Sequence, residues 1–79
     1  MRNEIYSVEH RKLREILKRE RVAAGLRQSD VAIKTNRSQA YISKFEQGDL
    51  RLDIVDFVRF CEIIGCDPHE VLEEVFPGS

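Results

Sequence analysis

Two short apolar stripes separated by a chain reversal, within residues 21–48, constrain this sequence more than anything else in it. Val31 and Ala32 mark the inner face of one short helix; Ile42 and Phe45, three apart, mark that of a second. Asn36 lies between them, where the chain must turn back and a residue tolerant of positive φ is useful. Ser38 can cap the second helix by accepting a backbone N–H. Gly25 and Gly48 stop the helices that precede and include this unit.

Two short helices joined in this way form a helix-turn-helix, whose second helix can enter the major groove of DNA. Helical steps of apolar residues extend the pattern along the chain. Ser7 caps a first helix over 8–24, with Leu13, Ile16, Leu17, Arg21 and Ala24 on one stripe. The second and third helices span 28–35 and 39–47, and Leu50 and Leu52 pack inward from the loop that follows. Asp53 caps a fourth helix over 54–64, with Ile54, Phe57, Val58, Cys61 and Ile64 inside. Asp67 caps a fifth, Pro68 fits its first turn, and Val71, Leu72, Val75 and Phe76 are its apolar residues. The expected fold is therefore all-α: one compact five-helix domain over 1–79, with residues 1–6 a flexible arm and 65–79 the C-terminal helical segment.

At 79 residues, 42 % hydrophobic and 34 % charged, the chain suits a small domain with a single core. It lacks both a membrane-length apolar run and an apolar signal region, so a cytoplasmic protein with no membrane partner is expected. The net charge of −1 hides an asymmetry. Residues 1–51 carry 12 Lys/Arg against 7 Asp/Glu, whereas residues 52–79 carry 1 against 7. A basic front and an acidic back suit a polyanion on one face only.

At family spacing, three motifs carry a resemblance over about residues 10–76. They are Arg21…Gly25-Leu26-x-Gln28-x-x-Val31-Ala32, Ser38-x-x-x-Ile42-Ser43-x-Phe45-Glu46-x-Gly48, and the Gly65-Cys66-Asp67-Pro68 break. Together they resemble the Cro/repressor-type, XRE-like helix-turn-helix domain of phage repressors and restriction–modification controller proteins, which implies a lambda-repressor-like fold. The resemblance implies an architectural ion pair between Arg21 and Glu46, in keeping with an arginine on an apolar stripe needing a carboxylate. It places Gln39, Ala40, Ser43 and Lys44 on the DNA-reading face, as base contacts. Gln28 and Ser38 match phosphate-side positions, and Arg27, Arg37 and Tyr41 suit phosphates on either side of the groove. The chain departs from the pattern at Arg27, where the family has a Ser or Thr cap, and at Asn36, where it has Gly.

Other chemistry is weaker. Cys61 and Cys66 read as core thiols in a reducing compartment. A zinc site from Cys61, Cys66, His69 and Glu70 or Glu73 lacks the usual paired spacing, so no metal and no cofactor is expected. His10, in the first turn of the first helix, reads as solvated. Glu70, Glu73 and Glu74 have no orienting partner or nucleophile and read as a solvated face, so no enzyme and no small-molecule ligand is expected. The function expected is a sequence-specific transcriptional regulator, binding double-stranded DNA as a homodimer on a pseudo-palindromic operator, with Val71, Val75 and Phe76 at the dimer contact. The alternative is a protein-interaction module, antitoxin-like or an adaptor, that keeps the fold and binds through its acidic back.

Overall fold

The structure, a computed structural model, describes residues 7–78; the expected arm over 1–6 lies outside the described residues. Five helices follow one another: α1 (Val8–Ala23), α2 (Gln28–Thr35), α3 (Gln39–Gln47), α4 (Ile54–Ile64) and α5 (Pro68–Val75). Among the described residues there is no strand, and no helix is long and apolar enough to cross a membrane.

Short polar side chains start four of the helices. Ser7, Ser38, Asp53 and Asp67 each accept a backbone N–H from the first turn, one of the donors a helix leaves unpaired. α2 starts differently. Arg27 occupies the cap position, and the Asp30 carboxylate reaches back to accept its backbone N–H at 2.8 Å. The missing Ser or Thr is thus offset from the other side of the turn.

Four helices end in one way. A residue with positive φ follows, directly after α2, α3 and α4 (Asn36, Gly48, Gly65) and one residue later after α1 (Gly25, beyond Ala24). The next N–H donates to a carbonyl five residues back: Leu26 to Arg21, Arg37 to Ala32, Asp49 to Lys44 and Cys66 to Cys61. This arrangement satisfies carbonyls the helix would leave open. Asn36 (φ 58°) is the non-glycine member of the set.

The core forms where α1, α2, α3 and α4 meet. Leu17, Val31, Ile42, Phe45, Phe57, Phe60 and Cys61 are buried there. Phe45 and Phe60 meet edge to face, ring centres 6.0 Å apart, an arrangement worth roughly 0.5–1.5 kcal/mol beyond area burial. α2 packs on α3 and α4, while α5 packs on α1 and α4 and not on α2 or α3.

Several inner-face expectations need correction. Ala24 ends α1 and is exposed. On α4, Phe60 is buried and Ile54 is exposed, so the stripe runs through Asp56, Phe57, Phe60 and Cys61. On α5, Val71 and Val75 both enter the core and Leu72 stays outside. Val71 and Val75 are therefore not surface for a dimer contact, which leaves Phe76, with Leu72 beside it, as the apolar surface of that helix. His10 is not solvated. Its Nδ1 lies 2.9 Å from an Arg14 guanidinium nitrogen, its ring meets Phe45 edge to face, and burial lowers its pKa.

Candidate nucleic-acid interface

α3 has two distinct sides. Ile42 and Phe45 are buried beneath it, while Gln39, Ala40 and Lys44 are exposed and Ser43 is half-buried. Ser43 accepts from the Gln47 amide at 3.1 Å. This side offers an amide that can both donate and accept, a methyl, a hydroxyl and an ammonium. These are the groups that recognise base edges in a major groove.

The inner side of α3 is fixed to α1. The Arg21 guanidinium donates to both Glu46 oxygens, Nε to Oε2 at 2.7 Å and Nη2 to Oε1 at 3.1 Å, and Nη1 donates to the Leu26 carbonyl at 2.8 Å. The two side chains are 10 % and 7 % exposed. Burial removes water from both charges, so the fork geometry and the third acceptor on Leu26 are needed to offset desolvation. Gln28 joins the set, its amide donating to Glu46 Oε1 at 2.9 Å. That bond holds Gln28 at the start of α2, half-buried beside α3.

The residues read as phosphate contacts fall into two groups. Arg27 stands at the start of α2, 81 % exposed, paired with Asp30 at 3.3 Å. The Arg27 backbone N–H, and then its guanidinium, hold the Asp30 carboxyl below the usual range. Ser38 caps α3 through the Tyr41 N–H at 3.1 Å. Arg37 and Tyr41 are tied inward instead. Arg37 Nη2 donates to Asp56 Oδ2 at 2.7 Å, Tyr41 Oη donates to the same oxygen at 3.0 Å, and the guanidinium carbon lies 4.7 Å over the Tyr41 ring centre. Burial, and then the bond to Asp56, raise the Tyr41 phenol pKa.

Two carboxylates of this region escaped the sequence reading. Asp30, three residues after the Arg27 cap, follows a reach-back pattern that could have found it. Asp56 carries the same pattern after Asp53, and nothing local distinguishes its burial.

The thiols lie apart from this surface. Cys61 is fully buried and Cys66 half-buried, and burial pushes the Cys61 thiol up to about 12. Among the described residues no group of His, Cys, Asp and Glu side chains is arranged to hold a metal ion.

The family model of the helix-turn-helix domain matches residues 12–73. Among solved structures, an XRE-family like protein from Pseudomonas syringae pv. tomato is 35 % identical, with a TM-score of 0.81 over 86 % of this chain and 83 % of that one. A variant of the restriction–modification controller protein C.Esp1396I is 26 % identical, with a TM-score of 0.80 over 89 % and 93 %. The clp gene regulator ClgR from C. glutamicum, 21 % identical with a TM-score of 0.79 over 89 % and 91 %, shares the fold. No curated protein matches the chain at a significant level.

Proposed function

The chain belongs to the XRE-like helix-turn-helix domain family, and from that membership we propose that it is a sequence-specific transcriptional regulator, a homodimer on a pseudo-palindromic operator. The observation that carries this reading is the exposed side of α3, where Gln39, Ala40 and Lys44 project from a helix seated on Ile42 and Phe45. In the proposed complex α3 lies in the major groove. Gln39 bonds an adenine edge, Lys44 reaches guanine O6 or N7, Ala40 meets a thymine methyl and Ser43 adds a hydroxyl. Arg27, Gln28, Ser38 and Arg37 set the register on the phosphates. Tyr41, whose one hydroxyl proton goes to Asp56, has no donor left for a phosphate and acts only by holding Arg37. The protein acts in the cytoplasm by occupancy, needs no cofactor and catalyses nothing.

A dimer follows from the same reading. One domain offers few base contacts, while discrimination against competing sites needs several kcal/mol (about 4–10). Two-fold pairing doubles the contacts and sets the half-sites about 34 Å apart. Leu72 on α5 and Phe76 just after it, both exposed, are the proposed contact, at a helix that packs on neither α2 nor α3.

Selection of bound fragments from random DNA tests the reading, and should return inverted half-sites about one helical turn apart. Sedimentation at micromolar concentration should give about twice the 9.2 kDa chain mass. Phe76→Asp and Leu72→Asp should return folded monomers with weak operator binding. A salt-insensitive affinity for DNA would instead favour the interaction module that the acidic residues 52–79 suggest, because phosphate contacts impose a steep salt slope.

A further inference from the structure

We propose that Asp56, on α4, is a positioning residue for DNA reading: through Arg37 and Tyr41 it sets how α3 is presented, without touching DNA itself. The inference rests on the DNA-binding reading above. Asp56 is 3 % exposed, and a carboxylate so buried is costly unless its oxygens are paired. Its partners come from one place. Arg37 immediately precedes the Ser38 cap of α3, and Tyr41 lies in the first turn of α3. One oxygen, Oδ2, accepts from both, and the guanidinium stacks over the phenol ring. Carboxylate, guanidinium and phenol thus close a three-membered clasp between the start of α4 and the start of α3.

The clasp has consequences for both partners. Asp56 engages one donor of a fork that carries five, and the Arg37 side chain remains 42 % exposed. Its planar fork is therefore held in one orientation while it keeps donors for a phosphate oxygen. Gln39 lies two residues from each partner, on the turn the clasp holds. A bidentate amide–adenine contact depends on that turn keeping its place. Asp56 is itself unsuited to contact DNA, being buried and of the same charge as a phosphate.

The test compares Asp56→Asn with Asp53→Asn. Both remove one negative charge at the start of α4, and asparagine caps helices about as well as aspartate. Each variant is melted first, and binding is then measured at a temperature where it is folded, on the selected operator and on scrambled DNA. Asp56→Asn should lower the ratio of the two affinities by about tenfold, within the range of one lost bidentate base contact, and Asp53→Asn by less than about twofold. Tyr41→Phe, which deletes only the hydroxyl reaching Asp56, should lower the ratio by about threefold and decides the matter if Asp56→Asn fails to fold. A folded Asp56→Asn protein with a lower melting temperature but an unchanged ratio would make Asp56 merely structural and overturn the inference, leaving the regulator reading intact. So would an unchanged ratio in Tyr41→Phe when Asp56→Asn does not fold. A wild-type chain without salt-dependent DNA binding would overturn both.

Discussion

The two ends of α3 are each held by an arginine–carboxylate pair, and the pairs differ in what they leave open. At the C-terminal end, Arg21 and Glu46 seal α3 to α1 with neither side chain more than 10 % exposed. Near the N-terminal end, Arg37 and Asp56 join α3 to α4 with the carboxylate 4 % exposed and the guanidinium 42 %. A sealed pair has spent its hydrogen bonds inside the protein and serves the fold. A half-open pair fixes a geometry inside while keeping a cation at the surface. The same two residue types therefore do different work according to which partner water reaches.

Substitutions at the two pairs separate these roles. The largest effect is expected at the sealed pair. Arg21→Ala leaves Glu46 buried and short of its cation, and should cost roughly 3–5 kcal/mol of stability. Thermal melts of Arg21→Ala, Glu46→Ala and the double variant should show strong non-additivity, and additive losses would break the contrast at its sealed end. Next comes the reading face between the pairs. Gln39→Ala or Lys44→Ala should cost roughly 1–3 kcal/mol against the preferred base and leave the melt unchanged. Arg27→Ala, by contrast, should weaken all sequences alike and lower the salt slope by about 1. An unaltered selected motif in Gln39→Ala would remove α3 as the reader.

Arg37→Ala sharpens the contrast most directly. Its loss of stability should be roughly 1–2 kcal/mol, since water reaches one side of the pair and Tyr41 still serves Asp56. It should also weaken DNA binding at fixed folded fraction, which Arg21→Ala should not. The smallest effect is in pH. His10 is held below its ordinary value of 6.5 by burial and by the nearby Arg14 and Arg51 charges. The unfolded chain therefore binds a proton that the folded one refuses. Stability from this group is full above pH 6.5 and falls as pH drops below it, towards the lowered folded value. His10→Gln should flatten the melting temperature between about pH 6.5 and 5 without altering either ion pair.

Much of this was legible in the sequence, for local reasons. Caps and stops are written within four residues of where they act, so Ser38, Asp53, Gly48 and Asn36 could be read directly. The inner side of α3 was legible too, because Ile42 and Phe45 have few alternatives in a polar helix. The α4 and α5 stripes were not, because apolar residues stand side by side there, as in Ile54-Val55, Phe57-Val58, Phe60-Cys61, Val71-Leu72 and Val75-Phe76. Phe60 rather than Ile54 is inside because of how α4 sits against α1 and α2, and Val71 rather than Leu72 because of how α5 sits against α1 and α4, and periodicity does not encode that docking. The Arg37–Asp56 contact spans 19 residues and joins two groups that each look like ordinary surface charges. Only the packing of α2 and α3 on α4 brings them together.

The turn at Asn36 has a kinetic consequence. An asparagine in the left-handed region costs the folded chain little, yet it restricts the unfolded chain more than glycine would. The contacts it closes, between α2 and α3, are among the most local in the molecule, and local contacts form before distant ones because their loops are short. The motif that would meet DNA is thus the part of the chain best equipped to assemble first. Asn36→Gly should slow refolding more than it speeds unfolding, a partition that stopped-flow rates in denaturant can read.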